Sequence, residues 1–289
     1  MMRSKRITLL TAAVMVGFFS AAAAAEPFVF TAIPDQDESQ LRTRFDKVAK
    51  YLTKTLGVET RYIPVKSYAA AVTAFRNNQV QLAWFGGLSG VRARALAPGS
   101  QALAQGAEDS KFETYFIAHA SLGLKESKQF PKKIAGTTFT FGSKGSTSGR
   151  LMPEFYIRKT FGKAPKKIFD RVGFSGDHSR TIALVQSGSY KVGAVNFKVW
   201  QRELKDGKID LKKVNVVWRT PPYPDYQWSV RGDVDQQFGA GFMDKVRESL
   251  LSMSDPDLLK AFPRSRFIPA GNSDYKPIKD VAKSIGLID

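Results

Sequence analysis

The 289-residue sequence contains no cysteine, which excludes disulfide bonds, thiolate metal sites and cysteine nucleophiles. It has only two histidines, His119 and His178. No cluster of His, Asp and Glu has the spacing of a zinc site, so we expect no metal and no other cofactor. After residue 25 there is no run of 18 apolar residues, so the sequence predicts no membrane-spanning helix there.

The first 25 residues have the pattern of a secretory signal peptide. Residues 3–6 supply a positive n-region, residues 7–19 an apolar core, and residues 21–25 the small side chains of a cleavage site. A membrane anchor is the alternative, but the apolar stretch is short and ends in alanines. We therefore predict cleavage after Ala25 and export to the periplasm.

Acidic residues are few: 26 Asp and Glu stand against 44 Lys and Arg, for a formal net charge of +18. Such a charge fits nucleic acid, an anionic membrane surface or polyanion, small anions, or a solvated surface without a partner. Export argues against nucleic acid. Charge alone does not choose among the others.

Strand-like and helix-like segments alternate along the chain, which predicts an α/β protein with parallel sheets covered by helices. The alternation repeats after a middle boundary, with two predicted crossings near residues 118–122 and 219–226. We therefore expect two lobes joined by a hinge. Lobe I would comprise residues 26–118 and 224–289, and lobe II residues 119–223.

Four strand-to-helix turns carry small or hydroxyl residues just before a helical run: "VKSYAAAV", "WFGGLSGV", "GSKGSTSGR" and "SGDHSRTI". In parallel α/β units, ligands bind beyond the carboxyl ends of the strands. A helix N-terminus there offers unpaired N–H groups and a partial positive charge, which favour anions. If the lobes face each other, these turns converge on one cleft.

The turn "GSKGSTSGR" places Ser146, Thr147 and Ser148 among glycines that permit close backbone approach. Three consecutive hydroxyls suit an oxyanion with several equivalent oxygens. The alternative is ordinary helix capping in a flexible loop. The P-loop order G-x-x-x-x-G-K-[ST] is absent, and "GSTSG" puts Thr147 where a nucleophile elbow needs serine.

His178 precedes a helical run and can donate a hydrogen bond to an anion, with Arg180 two positions further on. Tyr68, at the first turn of another helix, is a further donor. Asp225 requires a ligand that carries a proton or an amine. A secreted serine hydrolase, using Ser146 or Ser148 with His178 and Asp177 or Asp225, is the alternative function. We expect His119 to be structural.

The segments "VKSYAAAVTAFRNNQVQLAWFGGLSG", "FTFGSKGSTSGRLMPEFYIRKTFG" and "FSGDHSRTIALVQSGSYKVGAVN" resemble the substrate-binding proteins of phosphonate and phosphite ABC transporters. Within them, the similarity is greatest to a subgroup named for selenate transport. The resemblance implies a type II periplasmic binding fold with two crossovers. It also implies a ligand in the cleft and docking to a membrane permease. We expect a monomeric, non-enzymatic protein that binds a small oxyanion.

The resemblance also assigns site residues. Ser146, Thr147 and Ser148 match the serines and threonine that hold the phosphonate or phosphite oxygens. The family histidine falls on His178, and a further donor on Tyr68. Asp225 matches an acidic residue in the return crossover.

Two positions depart from the family pattern. Asn196 stands where aminophosphonate binders carry a glutamate for the ligand ammonium, and Arg180 stands where the family has a small or acidic residue. Both departures predict a preference for a fully charged oxyanion such as selenate, a sulfate-like ion or phosphite. Asp225 predicts the opposite, because a fully deprotonated dianion cannot donate a hydrogen bond to it.

Overall fold

The structure is a computed structural model that describes residues 26–36, 38–260 and 262–288. The predicted signal peptide, residues 1–25, lies outside the described residues. The strands are β1 Phe28–Ala32, β2 Thr60–Tyr62, β3 Leu82–Phe85, β4 Gln101–Gly106, β5 Thr114–His119, β6 Thr138–Phe141, β7 Arg171–Phe174, β8 Val192–Asn196, β9 Val214–Arg219, β10 Gln227–Val230 and β11 Phe267–Pro269. The α-helices are α1 Glu38–Leu56, α2 Tyr68–Arg76, α3 Gly87–Leu96, α4 Met152–Phe161, α5 His178–Gln186, α6 Phe197–Lys205, α7 Val234–Phe238, α8 Phe242–Leu251, α9 Pro256–Leu259 and α10 Lys276–Ser284.

Local sequence explains why these elements form where they do. Helix α1 buries Leu41, Phe45 and Leu52, which recur at helical spacing on one face. The chain leaves α1 at Gly57, whose φ of +72° favours glycine. Strand β3 is buried along its whole length, as expected for a strand with layers on both sides.

The strands form two sheets. The six-stranded sheet of lobe I runs β11-β4-β10-β3-β1-β2, and the five-stranded sheet of lobe II runs β7-β6-β8-β5-β9. Apart from β11 at the edge of the first sheet, the two strand orders correspond when the first is read from β2 to β4 and the second from β7 to β9. In each sheet, one strand that arrives from the other lobe is inserted antiparallel: β10 beside β3, and β5 beside β8. The sheets are therefore mixed rather than purely parallel, because these two strands enter from the hinge and not through a covering helix. In lobe I the edge strand β11 also runs antiparallel to its neighbour β4.

The first crossing between the lobes lies earlier than the sequence predicted. The strand β5 starts at Thr114 and pairs with β8 and β9 of lobe II, so the chain has changed sheets before residue 118. The prediction failed because no glycine or proline occurs between Gly106 and Gly123 to mark the passage. The second crossing lies between β9 and β10, within the predicted 219–226.

The two crossing segments lie side by side. Phe112 N–H donates to Tyr223 O at 2.8 Å, and Tyr223 N–H donates to Phe112 O at 3.0 Å. This two-bond bridge ties the hinge strands together at one level between the lobes. In the part of the chain that the structure describes, no helix has the length and apolar character needed to span a membrane.

Candidate functional site

The N-terminal ends of α2, α3, α5 and α6, with the short π-helical turn Thr147–Leu151 that leads into α4, come together between the lobes. Their convergence follows from the topology, since each helix here starts near the carboxyl end of a strand. Seven of the eight predicted site residues are at most 2 % exposed in this place: Tyr68, Ser146, Thr147, Ser148, His178, Asn196 and Asp225. We call these seven residues the cleft cluster.

The three hydroxyl residues occupy the start of the π-helical turn in lobe II. Ser146 Oγ accepts the N–H of Gly149 at 2.9 Å and so caps the turn. Thr147 Oγ1 accepts the N–H of Leu88 at 3.0 Å, which is the N-terminus of α3 in lobe I. Ser148 Oγ lies 3.4 Å from His178 Nε2. The turn is therefore both an N-terminal donor site and a contact between the lobes.

Glycines let the backbone come close here. A β carbon on Gly149 would lie 3.0 Å from His178 Cε1 and 3.1 Å from Ser146 Oγ. A β carbon on Gly86 would lie 3.1 Å from Asp225 Oδ1 and 3.3 Å from Thr147 Oγ1. These approaches explain the glycines on both sides of the cluster.

His178 is held as a neutral donor. Its Nδ1 accepts the backbone N–H of Asn196 at 3.2 Å, so the proton of the neutral ring must sit on Nε2. Burial lowers the pKa of His178 to about 3. The imidazole therefore presents an N–H toward Ser148 and stays uncharged near neutral pH.

Asp225 lies in the second hinge segment and is the acidic member of the cluster. Its Oδ1 accepts the N–H of Gly87 at 2.8 Å, while its buried Oδ2 forms no hydrogen bond with the described residues. Burial raises the pKa of Asp225 to about 7, against smaller lowering effects of Thr147 and Gly87. The group can therefore be protonated or ionised near pH 7.

Within the cleft cluster, the Tyr68 hydroxyl is the second buried polar atom without a hydrogen bond of normal geometry to the described residues. Burial raises the pKa of Tyr68 well above 10, and Asp35 and Asp225 raise it further, while the nearby Ser146 side chain lowers it. Tyr68 is therefore a neutral O–H donor. Unsatisfied buried hydroxyl and carboxyl oxygens in one cleft are typical of a site built for a polar ligand.

Asn196 has a different task from the one predicted. Its Oδ1 accepts the N–H groups of Lys198 at 2.8 Å and Val199 at 3.3 Å, which caps α6. Its Nδ2 donates to Tyr226 Oη at 3.0 Å, and that hydroxyl donates to Asp35 Oδ2 at 2.8 Å. The amide is thus occupied by α6 and by a bridge to lobe I.

Arg180 is not part of the cluster. Its side chain is exposed on α5, and its backbone N–H donates to Asp177 Oδ1 at 2.7 Å as part of the helix cap. A position two residues after His178 on a helix points to another face, which the sequence prediction overlooked.

Sequence reasoning missed several residues that complete the cleft. Asp35 accepts the N–H of His178 through its backbone O at 3.1 Å, and Thr114 Oγ1 donates to Ser148 O at 3.0 Å. Tyr226 connects Asn196 to Asp35. The only local signal was "IPDQD" after a buried strand, since Thr114 lies at the start of a strand-like run and Tyr226 lies in a proline-rich connection.

The geometry gives no support to the serine hydrolase alternative. A serine nucleophile needs a histidine whose ring nitrogen accepts its proton, but His178 Nε2 carries a proton and Nδ1 is occupied by Asn196 N–H. Among the described residues, no group of three or more His, Asp or Glu could hold a metal ion.

A family model for the periplasmic phosphonate substrate-binding proteins of ABC transporters matches residues 30–275. The chain belongs to this family, which comprises transport proteins rather than enzymes. It is 38 % identical, over 97 % of both chains, to a probable ABC transporter phosphite binding protein, PhnD1, of Prochlorococcus marinus strain MIT 9301. It is 25 % identical to the phosphonates-binding periplasmic protein of Escherichia coli K12, over 68 % of this chain and 58 % of that one.

Solved structures confirm the predicted type II periplasmic binding fold. The structure of PhnD1 from Prochlorococcus marinus in complex with methylphosphonate matches with a TM-score of 0.86 and 40 % identity, over 91 % of this chain and 100 % of that one. A binding protein component of an ABC phosphonate transporter from Pseudomonas aeruginosa matches with a TM-score of 0.77 at 19 % identity, over 88 % and 85 % of the chains.

Proposed function

We propose that the protein binds a small tetrahedral oxyanion in the cleft cluster and delivers it to the permease of an ABC importer. The observation that carries the proposal is the convergence of buried donors from both lobes. Ser148, His178 and Tyr68 present neutral hydroxyl or imidazole donors, and helix N-termini add backbone N–H groups. We further propose that the mature protein works as a monomer in the periplasm, after removal of residues 1–25.

Asp225 restricts the protonation of the bound anion. Its buried Oδ2 has no hydrogen-bond partner among the described residues, so a fully deprotonated anion bound beside it would bring two negative groups together. One shared proton removes the conflict, either on a ligand oxygen or on Asp225, whose pKa of about 7 permits both. This favours phosphite and methylphosphonate, the chemistry named for the relatives. Selenate, a permanent dianion, would require Asp225 to take the proton.

Of the two departures from the family pattern, Arg180 and Asn196, only Asn196 lies in the cleft cluster and can affect the choice of anion. Arg180 is exposed and adds no cation to the cleft. The second position, Asn196, still offers no carboxylate for an ammonium group, and its amide is already bonded on both sides. We therefore expect weak binding of aminoethylphosphonate, but for the reason of Asn196 alone.

Calorimetric titration of the purified mature protein against phosphite, methylphosphonate, aminoethylphosphonate, selenate and sulfate tests the proposal. We expect phosphite or methylphosphonate to bind most tightly at pH 7. Selenate should bind more weakly at pH 8 than at pH 6, because it cannot bring its own proton. Absence of binding to every anion of the panel would refute the proposed function, and aminoethylphosphonate in first place would refute the use of Asn196.

Replacing Ser148 by alanine tests whether the cluster is the site. A lost hydrogen bond to a charged ligand costs about 1.5 to 3 kcal/mol, which is about ten- to a hundredfold in affinity. Ser189→Ala is the matched control, since Ser189 is exposed and its hydroxyl lies 2.9 Å from the hydroxyl of Ser187, outside the cleft cluster. Equal affinity of Ser148→Ala and wild type would place the ligand elsewhere.

A further inference from the structure

A buried ion pair stands directly behind the cleft cluster. Asp109, in the first hinge segment, and Arg264, in the segment before β11, have side chains 0 % and 3 % exposed. Arg264 Nε donates to Asp109 Oδ2 and Nη2 donates to Oδ1, both at 2.7 Å. Arg264 Nη1 donates to Phe262 O at 2.5 Å. The pair is thus bidentate, and all three guanidinium nitrogens donate hydrogen bonds.

The surroundings fix this pair in place. The guanidinium of Arg264 lies 5.3 Å from the ring centre of Tyr226, 5.7 Å from that of Phe112 and 6.0 Å from that of Trp84. Gly106 leaves just enough room, because a β carbon there would lie 2.4 Å from Asp109 Oδ2 and 2.6 Å from Arg264 Cγ. Such a fit leaves the pair no freedom to relax.

The pair is connected to Asp225 through the hinge. Asp225 N–H donates to Asp109 O at 3.0 Å, and Asp225 Oδ1 accepts the N–H of Gly87 at 2.8 Å. The backbone of Asp225 is therefore held by the residue that carries the buried carboxylate, and its side chain by the N-terminus of α3. Its remaining oxygen, Oδ2, is buried and has no hydrogen-bond partner among the described residues.

Burial has the largest effect on the pKa of Asp225, and the charged groups that affect this pKa most are Asp109 and Arg264. Asp109 raises the pKa of Asp225 and Arg264 lowers it. The tyrosines that interact with Asp225 are neutral near pH 7, and burial raises the pKa of the nearby Asp35, whose Oδ2 accepts the Tyr226 hydroxyl. Burial raises the pKa well above 10 for each of the tyrosines that interact with Asp225, and lowers the pKa of His178 to about 3; the tyrosines are Tyr68, Tyr223, Tyr226 and Tyr275.

We propose that the Asp109–Arg264 ion pair is a positioning pair, which aims the Asp225 carboxyl group at the bound oxyanion and controls how readily that group holds a proton. The inference rests on the proposed function, in which Asp225 faces the ligand. In this proposal the two side chains bind each other and act on the ligand only through Asp225. With the pair intact, the opposite charges of Asp109 and Arg264 largely cancel at Asp225. The Asp225 carboxyl group therefore gains or loses its proton near neutral pH.

Two charge-removing variants separate this role from a purely structural one. Arg264→Met removes the positive charge that lowers the pKa of Asp225, so Asp225 should hold its proton to higher pH. Asp109→Asn leaves the positive Arg264 there, so Asp225 should lose its proton at lower pH. A structural role alone would move both variants in the same direction, because both lose the same pair.

The measurement is phosphite affinity by calorimetry from pH 5.5 to 9, with each variant normalised to its own value at pH 5.5. The titration of phosphite itself is common to all proteins and cancels in the comparison. Relative to wild type, the fall in affinity with rising pH should begin about half to one pH unit higher in Arg264→Met and lower in Asp109→Asn.

Arg231→Met is the matched control, since Arg231 forms a bidentate pair with Asp233, at 3.0 and 2.8 Å, outside the hinge. Its pH profile should match wild type. Arg264→Lys keeps the charge but not the bidentate geometry, so it should bind phosphite about three- to tenfold more weakly with an unshifted profile. It also keeps the test open if the neutral variants fail to fold.

If the pH profiles of Arg264→Met and Asp109→Asn shift in the same direction, or if neither shifts, the pair does not control the proton on Asp225. Wild-type affinity in Arg264→Lys would overturn positioning. A failure of wild type to bind any of the anions refutes the proposed function instead, so the two failures are distinguishable.

Discussion

Two residues of the cleft cluster are buried titratable groups with opposite shifts. Burial lowers the pKa of His178 to about 3 and raises that of Asp225 to about 7, because it penalises the charged form of each. Near pH 6 both are therefore mostly uncharged. The charge of a bound oxyanion then meets neutral donors and helix N-termini rather than fixed counter-charges, which suits a site that must also release its ligand.

His178 should make the protein sensitive to acid. Its pKa is lower in the folded state than the ordinary value of 6.5, so its stabilising contribution is complete above pH 6.5 and is lost as pH falls toward 3. Between pH 7.5 and 5, the free energy of unfolding of wild type should fall by about 2 kcal/mol relative to His178→Gln. Urea unfolding of both proteins at each pH measures this change. If the difference in free energy of unfolding between them is the same at both pH values, the pKa of His178 is not lowered in the folded state.

Asp225→Asn should change the pH profile of binding rather than abolish binding. The amide keeps an oxygen for Gly87 N–H and gains an N–H that can donate to a fully deprotonated anion. Phosphite affinity of this variant should therefore hold or rise above pH 7, where that of wild type falls. Calorimetry at pH 6 and 8.5 tests it, and a wild-type decline in the variant would contradict a proton shared with Asp225.

At the scale of the element, the N-terminal turn Thr147–Leu151 of lobe II and helix α3 of lobe I meet through one side chain. Thr147 Oγ1 accepts Leu88 N–H at 3.0 Å, and both partners are buried. Thr147→Val keeps the shape but leaves that N–H unpaired when the lobes close, at a cost of about 1 to 3 kcal/mol.

We expect about five- to a hundredfold weaker phosphite binding by Thr147→Val. Thr147→Ser retains the hydroxyl and is the matched control, with affinity close to wild type. Titration calorimetry of the two variants makes the comparison. If valine and serine bind alike, the contact between Thr147 and α3 contributes nothing to closure.

The elements themselves were largely predictable because their signals are local. The periodic apolar residues of α1, the hydroxyl-rich start of the turn before α4 and the capping residue Asp177 of α5 can be recognised in short windows. Strands β4 and β10 were missed, since "QALAQG" and "QWSV" are short and poor in β-branched residues. Their direction in the sheet depends on the hinge, which a short window does not contain.

At the scale of the whole molecule, the excess of positive charge is separate from the site. The formal net charge is +18, yet the cleft cluster contains no lysine or arginine and is buried. Exposed charges are screened by salt within about 10 Å at 0.1 M, whereas buried hydrogen bonds are screened much less.

Phosphite affinity should consequently change by less than about threefold between 0.05 and 0.5 M salt. Calorimetry in sodium chloride gives the test, with the Ser148→Ala variant as a reference for weakened binding at constant charge. A steep linear fall of log affinity with log salt would instead indicate the polyanion or membrane-surface binding that the net charge also permits.

The contacts that join the lobes were beyond sequence reasoning. Asn196 bonds Tyr226, 30 positions away, and Tyr226 bonds Asp35, 191 positions away. Nothing in one sequence pairs such distant residues, and the family pattern pointed Asn196 at the ligand instead. Arg180 failed for a smaller reason: the prediction identified the helix correctly but not the face on which the side chain lies.

The burial of the cleft cluster also has a kinetic consequence. No cluster member is more than 2 % exposed, so an anion can leave only after the contacts between the lobes have broken. These contacts include the bond from the backbone N–H of His178 to Asp35 O and the bond from the backbone N–H of Leu88 to Thr147 Oγ1. The residence time of the ligand is then the lifetime of the shut lobes. Whatever opens the lobes at the membrane sets the rate of delivery, and affinity in solution and speed of transport can be tuned separately.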